Sequence, residues 1–347
     1  MSPPAVKNSL AGNLLLFFVA LLLALLAGEG AIRWAIPDAQ SHALRGVMRE
    51  NPLSFIPGSH SEYNSGEYHV TFDINRFGRR DKEWTPTELQ NHSNVFFIGD
   101  SMVLGYGLSE KESIPGQMES ILNGKGKTVE VFNYGMGGAV SLPEYKKLLL
   151  SGLQAGIQAD AVLVGIFVGN DFLPDEAVVP PFFLDRYSAL YRWVKRQAAA
   201  SPFFVSSLLR FGNKTGLDLY QSPESSIFLK EMPEAQKVFF EKTLAELEKI
   251  QMICQKEHRK LRVLIFPTKL QVENASELQN NRYSFDAPNR KISDYCKLHH
   301  IEVLDLLPIL KSAYESNHEA LFFPVDRHFN PKGAHIVAEK IIEELGE

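Results

Sequence analysis

The chain has 347 residues, 45% hydrophobic and 22% charged, enough for one large domain or two modest ones with a sizeable core. Its formal net charge of −5 argues against nucleic acid as the main partner, because a phosphate backbone is met by a basic surface. The basic clusters Arg79-Arg80 and Arg192 to Arg196 are expected to be solvated faces, with anion or lipid contact as the alternative.

From Leu10 to Gly28 the sequence is uncharged and nearly all apolar. About 20 such residues in a helix cross the hydrocarbon core of a bilayer. A cleaved signal peptide is the rival reading, since Lys7 precedes the run and Ala24, Ala27 and Gly28 close it. The run exceeds the usual signal core, and Glu29 and Arg33 follow without a small-x-small cut. An uncleaved anchor over 10–28 is therefore expected, with 1–9 as a cytoplasmic tail. Lys7 lies before the span and Arg33, Arg45 and Arg49 after it, so positive charge does not set the orientation. A large domain after a first span is translocated largely regardless of charge, which places the body outside the cytoplasm, in the periplasm of a Gram-negative host.

Residues 29–93 read as a lead-in that packs on the main domain, with an edge strand or hairpin in the alternating Tyr68–Ile74 and a turn at Asn75–Gly78. From residue 94 short apolar runs alternate with longer amphipathic ones. Strands are predicted at Val95–Ile98, Val129–Phe132, Ala161–Phe167, Arg262–Phe266 and Glu302–Leu306. Helices are predicted at Ile114–Leu122, Pro143–Gln154, Glu234–His258, Asp286–His300 and Gly333–Leu345. This is the pattern of a three-layer α/β/α domain over 94–347, with a five-stranded parallel sheet whose carboxyl ends bind ligands. Residues 172–232 exceed an ordinary connection of about 2–6 residues and are rich in aromatics. They are read as a lid or acyl-binding surface, or as a helical subdomain burying its own aromatics.

Four motifs fall at predicted strand ends or in a late loop: Gly99-Asp100-Ser101, Asn133-Tyr-Gly135-Met-Gly137-Gly138, Gly169-Asn170-Asp171 and Asp326-Arg-His328. Acyl transfer requires such a set. A serine hydroxyl needs a base, and histidine has the pKa for it. The imidazole needs a carboxylate to fix its tautomer, and the tetrahedral oxyanion needs preorganised N–H donors. Ser101 is the candidate nucleophile, His328 the base and Asp326 the triad acid. The N–H groups of Ser101 and Gly138 and the side-chain amide of Asn170 are the candidate oxyanion donors. Asp100 and Asp171 are supporting residues, Asp171 by accepting backbone N–H groups in its own loop. Each motif alone is weak; their order and placement carry the reading.

With these four blocks the chain resembles the SGNH hydrolase superfamily, the GDSL-type esterases and lipases, over about residues 94–347. The second-block glycine of that family corresponds to Gly138, with Gly137 as runner-up. The resemblance implies a flavodoxin-like fold, ester substrates, no metal and no organic cofactor. Many members space the last pair D-x-x-H, whereas here it is Asp326-Arg327-His328, as in branches similar to periplasmic alginate acetyltransferases. The expected activity is hydrolysis or transfer of an O-acyl group on a carbohydrate or surface polymer. The alternatives are a lipase or thioesterase on lipid esters, and a catalytically idle polymer-binding module.

Three further features receive lesser expectations. His299-His300 lacks further ligands for a metal site, and Lys269 is read as a solvated loop lysine rather than an anion contact. The only two cysteines, Cys254 and Cys296, sit near the ends of two helices that the resemblance packs side by side. They are read as buried hydrophobes, with a disulfide as the alternative.

Overall fold

A computed structural model describes residues 10–35, 47, 53–65, 67–90, 93–137, 140–173, 183–201, 203–204, 207, 211, 223–273 and 282–346. Helix α1 spans Leu10–Ala35 and so runs past the end of the apolar stretch through Glu29 and Arg33. It is long and apolar enough to cross a membrane, and none of its apolar window is buried against the body.

Strands β1 (His60–Asn64) and β2 (His69–Asp73) pair as an antiparallel hairpin. Alternation causes it: Val70 and Phe72 point into the core while His69, Thr71 and Asp73 face out. The predicted turn at Asn75–Gly78 closes with the Gly78 N–H donating to the Asn75 carbonyl at 2.9 Å.

The main sheet contains β3 (Val95–Gly99), β4 (Val131–Gly135), β5 (Ala161–Phe167), β6 (Lys260–Phe266) and β7 (Glu302–Asp305). Its order is β4-β3-β5-β6-β7 and all four pairings are parallel. The chain goes outward from β3 to β4, then crosses back to β5 on the other side of β3. This switch point between β3 and β5 opens a crevice at the carboxyl end of the sheet, the usual ligand position in such folds.

Helices α2 (Ser101–Leu104), α3 (Ile114–Gly124), α4 (Leu142–Gln154), α5 (Ala189–Ala200), α6 (Glu234–Leu244) and α7 (Glu246–Lys256) follow in chain order. The last three are α8 (Ala287–Leu298), α9 (Leu307–Asn317) and α10 (Pro331–Leu345). One sheet face, including Phe96, Ile98, Val164 and Val263, is covered by α4, α6, α7, α8 and the hairpin. The other, including Val95, Phe97, Leu163 and Leu264, is covered by α3, α9 and α10. Each large aliphatic side chain buried between these layers contributes about 1.5–3 kcal/mol.

Several expectations are corrected. The helix predicted over Glu234–His258 is interrupted at Ala245. Helix α9 is not among the predicted elements, although Pro308 marks its first turn. Strand β4 starts later than predicted and takes in Asn133, Tyr134 and Gly135, which the glycine-rich motif assigns to a turn. As the edge strand, β4 satisfies the Asn133 N–H on the Asp81 carboxylate at 2.8 Å instead of on another strand.

Arg79 and Arg80 are not solvated; both are buried. The Arg80 guanidinium donates to the carbonyls of Leu104, Gly105 and Leu108, and to Thr71 on β2. It thereby satisfies carbonyls at the end of α2 that have no partner within the helix, and ties the hairpin to the turn bearing Ser101. Burial pushes Arg80 down to about 10. Cys254 and Cys296 are both free and buried. Of the 172–232 stretch, a short helix at Phe183–Tyr187, α5 and a 3-10 turn at Pro223–Phe228 are the regular described elements. Pro180, Pro181 and Phe182 lie outside the described residues.

Candidate active site

Ser101 is the first residue of α2, directly after β3. Asp100 caps that helix by accepting the Met102 N–H at 2.9 Å. The Ser101 N–H has no acceptor within α2, because the first N–H groups of a helix point out of its end.

His328 Nε2 lies 2.7 Å from Ser101 Oγ, and His328 Nδ1 hydrogen-bonds Asp326 Oδ1. The three predicted triad residues are thus brought together across 227 positions of sequence. Arg327, between the acid and the base, has φ of +71°. That left-handed residue turns the chain sharply enough for the side chains of Asp326 and His328 to converge, and it accounts for the short spacing of the pair. A non-glycine residue held there costs about 1–2 kcal/mol. The loop offsets the strain locally, with Phe323 N–H on the His328 carbonyl at 2.8 Å and Arg327 N–H on the Phe323 carbonyl at 3.1 Å.

Two residues of the hairpin loop, missed in the sequence, hold this turn. The Tyr68 hydroxyl donates to Asp326 Oδ2 at 2.7 Å. Both carboxylate oxygens of Glu67 accept backbone N–H groups, from Val325 and Asp326, each at 2.8 Å. The Tyr68 ring also packs against Phe323, and Tyr106 lies against the His328 ring with centroids 4.9 Å apart. Lys269 is not a solvated loop lysine: it opens a helical turn, is largely buried, and donates to the Pro324 carbonyl at 3.0 Å. Burial lowers its pKa.

Burial alone would push the Asp326 carboxyl up, but the bonds from His328 and Tyr68 outweigh it and the group sits below the ordinary carboxylate range. Burial and the Asp326 charge push the Tyr68 hydroxyl upward, so it stays a neutral donor. Asp326 can therefore hold the tautomer that puts the His328 proton on Nδ1 and leaves Nε2 free to accept from Ser101.

Asn170, half-buried just past β5, lies next to Asp100, whose carboxylate its side chain stabilises. Asp171 is fully buried and accepts the Phe167 N–H at 2.9 Å and the Tyr145 hydroxyl. Burial pushes Asp100 up to about 6, and burial together with the Asp100 charge pushes Asp171 well above the ordinary range. Gly137 is described and buried; Gly138 lies outside the described residues. The site thus sets the Ser101 hydroxyl, at a helix start, beside an imidazole that is itself bonded to a carboxylate. These are the parts of nucleophilic acyl transfer.

Fold and site together define a serine-histidine-aspartate arrangement on a flavodoxin-like sheet. Residues 227–347 match the family model described as SGNH hydrolase-like domain, acetyltransferase AlgX. That segment contains Asp326 and His328 and lies downstream of Ser101 and Asn170. No curated protein matches the chain. Among solved structures, the chain is similar to an acetyl xylan esterase, AlAXEase, at 16% identity and TM-score 0.43, covering 73% of this chain and 99% of that one. It is also similar to a mutant acetyl-xylooligosaccharide esterase from Geobacillus stearothermophilus, at 12% identity and TM-score 0.43, covering 75% and 97%. A third is an alpha/beta hydrolase enzyme from the metagenome of Lake Arreo, Spain, at 12% identity and TM-score 0.44, covering 74% and 98%. At these scores the likenesses carry no argument about chemistry.

Proposed function

We propose that the protein is a membrane-anchored serine esterase or O-acyltransferase that works through an acyl-enzyme, with acetyl esters of carbohydrate as its substrates. The observation that carries this reading is the unbroken relay from Tyr68 through Asp326 and His328 to Ser101. The acetyltransferase match of residues 227–347 supports acetyl as the acyl group.

Ser101 Oγ attacks the ester carbonyl carbon while its proton passes to His328 Nε2. The Ser101 N–H, the Asn170 amide and Gly138 receive the oxyanion. The imidazolium, stabilised by Asp326, then protonates the departing alkoxide. Water or an acceptor hydroxyl, deprotonated by the same nitrogen, resolves the acyl-serine, which gives hydrolysis or transfer respectively.

The anchor reading draws support from α1 itself. Its polar end is used by the body: the Glu29 carboxylate accepts from Ser188 Oγ and from the N–H groups of Ala189 and Leu190 at 2.8–3.0 Å. These bonds tie the residues that follow the apolar run to the body, and the length of that run, beyond the usual signal core, favours its retention. With α1 retained, the catalytic body lies on the extracytoplasmic side.

The test is covalent labelling. Wild-type protein should react with a fluorophosphonate at the peptide containing Ser101, and Ser101→Ala should melt within a few degrees of wild type yet remain unlabelled. Undiminished labelling or aryl-acetate turnover in the variant would refute the assignment.

A further inference from the structure

We propose that α5 lies in the headgroup layer of the membrane leaflet that α1 leaves, and binds anionic phospholipid there. This rests on α1 being a retained anchor. It adds a second, surface-lying membrane element in the middle of the chain.

The placement follows from how α5 is fastened. The uncharged stretch ends at Gly28, so the hydrocarbon layer ends near it. The Leu190 side chain covers Gly28, where an added Cβ would meet Leu190 Cδ2 at 3.2 Å. One residue on, Glu29 caps the first turn of α5. Arg33 bonds Glu29 and also donates to the Tyr187 carbonyl at 2.8 Å, holding the short helix before α5. From Gly28 to Arg33 the rise is about 7.5 Å at 1.5 Å per residue, comparable to one headgroup layer. Both fastenings therefore fall within that layer.

The composition of α5 suits it. Its sequence, ALYRWVKRQAAA, contains three cations, two aromatics and no acid. Trp193, Val194, Lys195 and Arg196 are exposed. Close by in sequence, Phe183 is 59% exposed and Phe203 82%, and Trp34 on α1 is 85% exposed. In water such a set is an unfavourable apolar surface. At a bilayer interface, aromatic rings and basic side chains are the residues that settle, the rings at the glycerol level and the cations on anionic headgroups.

The three tryptophans make this measurable. Trp84 is 1% exposed inside the body and serves as the internal reference. Full-length protein is reconstituted into phosphatidylcholine–phosphatidylglycerol vesicles with or without acyl-brominated lipid. Intact mass first establishes that α1 is present, so loss of the anchor is scored apart from the position of α5. In a Trp34→Phe background, bromolipid should quench about half of the emission, and adding Trp193→Phe should abolish that quenching. Equal quenching with and without Trp193 would overturn the proposal. Quenching of Trp193 should weaken when phosphatidylglycerol is omitted, or when Lys195→Gln and Arg196→Gln are introduced. Indifference to both changes would overturn the anionic-lipid assignment. Circular-dichroism melts of each variant should match wild type, since every substituted side chain is exposed.

Discussion

At the scale of single residues, the site depends on groups that hold Asp326 and His328 rather than on the triad alone. Removing the Tyr68 hydroxyl deletes a bond to a charged, largely buried carboxylate, worth about 1.5–3 kcal/mol. Tyr68→Phe should lower kcat roughly tenfold with KM little changed, measured on an aryl acetate. It should also move the acid limb of stability. Asp326 has a folded pKa below its unfolded one, so its contribution is complete above the unfolded value and is lost as pH falls through the folded value. Without Tyr68, burial is less fully opposed and the folded pKa rises. The variant's melting temperature should then begin to fall at a higher pH than that of wild type; superimposable curves would show that Tyr68 does not stabilise the charged carboxylate. Arg327 supplies a contrasting case. Arg327→Gly should keep labelling within about threefold of wild type, because glycine adopts positive φ freely. Arg327→Val should lose most of it, since a β-branched residue resists that conformation.

The element that carries the nucleophile is only one turn long and is positioned by what touches it. Its underside meets β4 at Gly135, where an added Cβ would lie 2.1 Å from the Leu104 nitrogen and 2.5 Å from its Cα. Backbone cannot yield as a flexible side chain does. Gly135→Ala should therefore push α2 away from β4, shift Ser101 relative to His328, and cut the fluorophosphonate labelling rate at least tenfold. A displacement of about 1 Å has that scale of effect on catalysis. Unchanged labelling in a stably folded Gly135→Ala protein would mean α2 is not held by that contact. The hairpin acts from the other side, through Arg80 to the end of α2 and through Glu67 and Tyr68 to the catalytic loop. Its period-2 pattern was legible in the sequence, but its partners were not. Tyr68 and Asp326 are 258 positions apart, and nothing local to either marks the pair.

On the scale of the whole molecule, α1 and the body are one structure joined at Glu29 and Arg33. Fractionation of cells expressing the full chain should recover it in membranes, released by detergent and not by carbonate. N-terminal sequencing should read through residues before Glu29. A soluble mature form beginning near that residue would refute the anchor. The extent of α1 is not legible in the apolar run, because the charges that close the run do not end the helix: Glu29 and Arg33 form an i,i+4 pair that continues it.

The sequence by itself determined the sheet, because largely apolar strands of five to seven residues between amphipathic helices have few other ways to bury both faces. It also determined which serine, histidine and aspartate meet, since three motifs at strand ends and one late loop converge on the carboxyl edge of that sheet. Tertiary structure alone decided whether a charge is solvated or buried. Arg79 and Arg80 read as surface residues in the sequence, and Lys269 as a loop lysine, yet each serves a backbone carbonyl inside the body. The tertiary structure alone assigned Glu67 and Tyr68 to the catalytic loop, and Glu29 to the start of α5. Apolar periodicity is a local signal that a chain carries in its order. The partner of a buried polar group is set by which distant segment the fold brings within about 3 Å, and no spacing along the chain encodes that.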